Sequence, residues 1–224
     1  ERIPITCVCN NPFDLQHALS CPKGCMVIAR HNELRNLTAE ILSEICTNVV
    51  IEPLLTQLTG ETFSYATANT SNEARADVSA RGFWIKGQTA FCDVRVFYPI
   101  AKCNLNQSLP AAHKKNENEK KRQYNRRILQ VEHGAFTPLV FTCFGGMSRE
   151  CSRFFSQAAE HLAVKRKVAK SVTSSWIKTR LNFALLRSCL LCLRGTKTVS
   201  NVDKISDIDL LGIVSESNID SDNV

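Results

Sequence analysis

"DVSARGFWIKGQTAFCDVRV", residues 77–96, alternates polar and apolar residues in two runs folded about Lys86-Gly87, the period-2 pattern of an antiparallel hairpin. On the first arm Asp77, Ser79, Arg81 and Phe83 share a face; on the second Phe91, Asp93, Arg95 and Phe97 do. Paired positions in such a hairpin have a constant sum. For 77 and 93 that sum is 170, which centres the hairpin on Ile85 and puts the turn at 85–87. The two aspartates then lie opposite each other or one to two pairs out of step, with Cβ atoms as near as roughly 5 Å. Carboxylates brought together repel, so the arrangement needs a reason. A divalent cation such as Mg2+, which favours carboxylate oxygens and retains water, supplies one. Strand-end aspartates also cap turns or pair with neighbours, here Arg75 and Arg95.

Outward from the hairpin, "VVIEPLL" (49–55) and "FTPLVFTCF" (136–144) read as further strands, the latter bounded by Gly134 and Gly145-Gly146. Residues 26–47 place Val27, Leu34, Leu37, Ile41, Leu42 and Ile45 on one helical stripe with no Pro or Gly between them. Helical patterns recur over 108–132, 148–165 and 174–193. The order of helix, strands, helix, strand and helices predicts an α/β fold with a mixed central sheet flanked by helices. Residues 1–25 hold Cys, His, Pro and Gly without a sustained period and form a small unit that needs other support. The main domain is expected over 26–195. After Gly195 the chain is polar, acidic and poor in aromatics, so 196–224 is expected to be an acidic disordered tail.

The 224 residues, 44% hydrophobic and 22% charged, suit a soluble fold with one good core. The net charge is +7, yet residues 203–224 set six acids against Lys204, leaving +12 for the rest. Such a body attracts polyanions in a salt-dependent way. Eleven cysteines, an odd number with several inside apolar runs and no signal peptide, fit a reducing compartment better than a disulfide scaffold. The longest apolar run, 183–195, is interrupted by Arg187 and too short for a bilayer, so no membrane partner is expected. The chain opens on Glu1 rather than methionine, which suggests a piece of a longer polypeptide.

"CVCNNPFDLQHALSC" presents Cys7, Cys9, His17 and Cys21. A Cys-x-Cys turn aims two thiolates at one ion, and His17 with Cys21 at an i, i+4 step sits on one face of a helical turn. Together they offer four soft ligands for a structural zinc, with Cys25 as a spare.

The combination "HALSCPKG", "RHNELRNLTAEIL", "EARADVSARGFW", "FCDVRVFYP" and "EKKRQYNRRILQVEHGAFTPLVFTCFGGM" resembles the restriction-like endonuclease region of site-specific non-LTR retrotransposon reverse-transcriptase polyproteins, with its preceding CCHC zinc knuckle. The likeness runs over about 7–195 and implies a PD-(D/E)XK-like, restriction-endonuclease-like fold. It implies a metal-dependent endonuclease that hydrolyses DNA phosphodiester bonds and nicks a target site with Mg2+ or Mn2+. Asp77 matches the first acid, in "RAD" where the stricter motif has proline before it. Asp93 matches the second, in "DVR" where "(D/E)xK" is expected. Arg95 stands where the motif lysine would; always charged, it is a poor proton acceptor though a good phosphate ligand. The replacement lysine is expected from the following helix, as Lys120 or Lys121, with Tyr124 close behind. Glu33 is expected as a further magnesium ligand, with Glu40 on a similar face. Arg30 and His31, one turn from the site, are expected to hold phosphate.

Two basic stretches extend the polyanion reading. Residues 113–127 hold seven Lys/Arg against two Glu, among them Lys114, Lys115, Arg126 and Arg127; residues 164–180 hold six and no acid. Both suit DNA, or RNA of the same element, through its backbone. The second also reads as a nuclear-import signal, which points to a nuclear protein, cytoplasmic before import and not secreted. The competing function is a catalytically inactive, domesticated or decaying nucleic-acid-binding module.

Overall fold

A computed structural model describes residues 6–23, 26–56 and 74–194. It is a mixed α/β structure. In chain order its elements are α1 (Leu15–Ser20), α2 (Met26–Ile45), β1 (Thr47–Ile51), β2 (Val78–Arg81), β3 (Thr89–Phe97), α3 (Leu109–Gln130), β4 (Ala135–Thr142), α4 (Arg149–Arg166) and α5 (Lys170–Arg194). The strands lie in the order β1-β2-β3-β4. The first two pairings are antiparallel, and β4 joins β3 in parallel after the α3 crossover. The sheet is therefore mixed, as the element order predicts.

The hairpin register follows its sequence pattern. Val78 pairs with Cys92, Ser79 with Phe91, Ala80 with Ala90 and Arg81 with Thr89, each summing to 170. The connection is longer than the expected 85–87: it occupies 82–88, with Gly82 and Gly87 at positive φ. Local signals account for most ends. Ser108 caps α3 and Ser148 caps α4 through hydroxyls that accept from Ala111 and Cys151 amides. Lys167, at φ 54°, closes α4 in the left-handed conformation. The basic stretch 164–180 consequently bends at this corner and continues as α5 from Lys170, four residues ahead of the expected start.

Alternation divides β3 between two cores. Ala90, Cys92 and Val94, with Val78, Ala80, Leu139 and Phe141, face α2, α4 and α5, where Leu34, Ile41, Phe154 and Leu181 are fully buried. Phe91 and Phe136 face the other way, onto Tyr124 and Ile128 of α3. Helices thus cover both faces of the sheet, and Asp93 lies on the α3 face. Gly134 admits no side chain where α3 returns to β4. A Cβ there would lie 2.7 Å from the Phe91 ring and from the Thr89 carbonyl.

The N-terminal unit is held by that frame. Leu19 of α1 packs with Cys143, Cys189 and Cys192, and its carbonyl accepts from Arg30 Nη2 at 3.1 Å. Residues 195–224, which include the acidic tail, and Cys25 lie outside the described residues.

Candidate functional site

Two polar clusters stand out. The first is the Cys/His group. Asp14 caps α1 by accepting from the His17 amide at 2.6 Å, which starts the helix where His17 and Cys21 come to one side. The Cys7, Cys9, His17 and Cys21 ligand atoms all lie within 4.8 Å of one another. Cys7 and Cys21 sulfurs are 3.7 Å apart, Cys9 and Cys21 sulfurs 3.9 Å, and Cys9 Sγ is 3.2 Å from His17 Nε2. A tetrahedron of thiolates around zinc has edges of about 3.8 Å. The group therefore has the donor set and the spacing for one metal ion and suits a structural zinc with no open position. The Asn11 amide lowers the Cys9 pKa to about 6, whereas burial raises that of Cys21 to about 11. Metal ligation requires both as thiolates.

The second cluster joins the hairpin to helices from both sides of the sheet. Asp77 lies one residue before the ladder begins. Its Oδ2 accepts from the Val94 amide at 2.6 Å and lies 3.0 Å from His31 Nε2 of α2. Asp93, 2% exposed, lies within β3 opposite Pro138 of β4. Lys120 of α3 brings its Nζ to 2.7 Å from Asp93 Oδ2. That oxygen is buried and receives no aligned hydrogen bond. The ammonium also sits 5.7 Å from the centre of the Tyr124 ring, one turn along α3.

These groups form one electrostatic system. Burial alone would raise the Asp77 pKa, but the His31 hydrogen bond and charge, the Val94 amide and Lys120 together hold it below the usual carboxylate value. For Asp93, burial and the Asp77 charge outweigh Lys120, and its pKa is raised. Burial would lower the His31 pKa, yet Asp77, with help from Asp93, holds it above its ordinary 6.5. One carboxylate is thus strongly anionic and the other gains from any further positive charge, the divergence expected of neighbouring acids.

The remaining sequence-selected residues go elsewhere. Glu33 pairs with Arg187, and Glu40 pairs with Arg180 at 2.8 Å, both on α5. The two glutamates do share a face, but it is the face against α5. His31 and Glu33 are two positions apart, about 200° around a helix, so α2 presents only one of them to Asp77. Among the described residues, that one is His31. Lys121, one step from Lys120, pairs with Glu150. Lys114 lies 3.6 Å from Glu117 and 4.0 Å from Glu150, and Arg95 pairs with Glu119 at 2.7 Å. Arg30, expected at phosphate, is instead 1% exposed beneath α1, and Arg127 is buried too. Lys115, Arg122 and Arg126 are exposed along one side of α3. The sequence reading missed the His31–Asp77 bond and the Val94 amide. The proximity of "RHN" to an amphipathic helix start was the only signal for the first; nothing in the sequence marked the second.

Among the described residues no helix is long and apolar enough to cross a membrane. No protein-family model matches the chain, and no curated protein matches it.

Proposed function

We propose that the chain is a metal-dependent DNA endonuclease domain with a restriction-endonuclease-like fold, of the kind carried by retrotransposon polyproteins. The observation that carries this reading is the convergence on Asp93: a buried carboxylate in a central strand, with Lys120 2.7 Å away and Asp77 bound at 2.6 Å to the amide of the next residue, Val94. Two acids and a lysine are the chemical minimum of the motif that the sequence resembles, with α3 supplying the lysine that Arg95 replaces.

The residues fit a divalent cation. Among the described residues both side-chain contacts to Asp77 fall on Oδ2, which leaves Oδ1 as a further oxygen donor, and Asp93 Oδ2 lacks an aligned hydrogen bond. Asp77 and Asp93 would hold Mg2+ or Mn2+, and the bound ion would stabilise charge on the scissile phosphate and lower the pKa of an attacking water. The protein's own groups do the rest. Lys120 offsets the carboxylate repulsion and offers an ammonium to a phosphate oxygen. His31, with its Nε2 3.0 Å from Asp77 Oδ2, fixes that side chain. Lys115, Arg122 and Arg126 contact successive backbone phosphates and release counterions.

A second reading, a catalytically silent nucleic-acid binder, is favoured by one observation: Lys120 and His31 already occupy the Oδ2 atoms of the two aspartates. A nicking assay on supercoiled plasmid with Mg2+ or Mn2+ separates the two. The nuclease reading expects cutting that is abolished in Asp93→Ala, reduced about 100-fold or more in Lys120→Ala and retained in Lys121→Ala. DNA retardation without cutting, in every variant, supports the silent binder.

A further inference from the structure

Helix α5 is apolar on two opposite sides. Ile177, Leu181 and Leu185 face the core. Val172, Phe183, Leu186 and Leu190 face outward, 58%, 67%, 56% and 51% exposed. At 100° per residue these four fall within a strip of about 60°, turned away from the core side, in which Phe183, Leu186 and Leu190 form the apolar patch and Val172 lies beyond exposed Ser175 and Thr179. A solvated helix carries polar residues there, so the strip lacks a covering partner among the described residues. The helix contains no Asp or Glu, and exposed Lys178 and Arg194 flank the strip.

We propose that this strip is the docking site of segment 203–214 of the same chain. Its chemistry is complementary. Asp203, Asp207 and Asp209 stand against Lys204, interleaved with Ile205, Ile208, Leu210, Leu211, Ile213 and Val214. The connection suffices: eight residues, 195–202, separate it from Arg194 and span up to about 26 Å. The strip from Leu190 back to Val172 is about 27 Å long. A second copy of α5 is the poorer occupant, because it would set cationic flanks against cationic flanks. Docking of 203–214 covers the strip and neutralises Lys178 and Arg194, so it withdraws an apolar, basic face from other partners. The proposal stands independently of the nuclease reading.

The test places a photoreactive benzophenone amino acid at position 186 of the full chain, an exposed site whose change spares the core. Irradiation is expected to link position 186 to 203–214 within one molecule. The link should weaken several-fold at high salt and in the chain carrying Asp203→Lys, Asp207→Lys and Asp209→Lys. The same probe at exposed Leu129 of α3 should give no such link. Links between copies only, links to anionic vesicles only, equal linking from positions 129 and 186, or no link to 203–214 would each overturn it.

Discussion

At the scale of the residue, the strongest constraint is the His31–Asp77 pair. Its stability contribution is signed. Because the folded His31 pKa is raised, the contribution is fully present below 6.5 and is lost as pH climbs through the folded value. Because the folded Asp77 pKa is lowered, the same pair weakens again when strong acid protonates the carboxylate. Histidine titration by NMR should therefore find His31 above 6.5 in the native chain. It should fall in Asp77→Asn, where only Asp93 and Asn32 still oppose burial; an unchanged value would remove Asp77 as its cause. The choice between Lys120 and Lys121 also belongs here. The sequence narrows the lysine to two adjacent positions, and a helix can turn only one of two neighbours toward a strand. Which one depends on α3 seating Tyr124 and Ile128 against Phe91 and Phe136, a tertiary fact that a single sequence does not carry.

Elements show the same division between local and long-range information. The hairpin register was legible because a period of 2 with acids at fixed offsets leaves one consistent pairing, and the 170 sum recurs in every β2–β3 pair. Glu33 and Glu40 were legible as one face of α2, but not as rungs to Arg187 and Arg180. Those pairings follow from antiparallel packing of α2 on α5, about 150 residues away in sequence. Exposed pairs of this kind contribute only about 0–1 kcal/mol each, so they register the helices more than they stabilise them. For the N-terminal unit, the ligands position α1 and α1 positions Leu19. Removing zinc with a chelator, or Cys9→Ser, should raise amide exchange across residues 6–23 and spare β3 and β4. Native mass spectrometry should find one zinc per chain before treatment. A chain without bound zinc, or unchanged exchange after chelation, would contradict the cluster's structural role.

For the whole molecule, charge and architecture act together. The four-stranded sheet carries the acids, helices from both its faces deliver His31 and Lys120, and α3 continues outward as a cationic ridge. Arg127 was read into that ridge from its basic stretch, and Arg30 was expected at phosphate one turn from the acids. Folding buries both; Lys115, Arg122 and Arg126 stay exposed along one side of α3, and exposed Lys114 lies near Glu117 and Glu150. DNA affinity should fall steeply with salt. Replacing Lys115, Arg122 and Arg126 by alanine should flatten the log–log dependence by about one unit per residue removed. A salt response that does not change would take α3 out of the binding surface.

The central claim is that Asp77 and Asp93 form one cation site, and Mn2+ binding to the zinc-loaded chain measures it directly. Electron paramagnetic resonance titration should reveal one Mn2+ site that is lost in Asp93→Ala and strengthened in Lys120→Ala, where the competing ammonium is gone. Equal Mn2+ binding by the native and Asp93→Ala chains, or none by either, would contradict it.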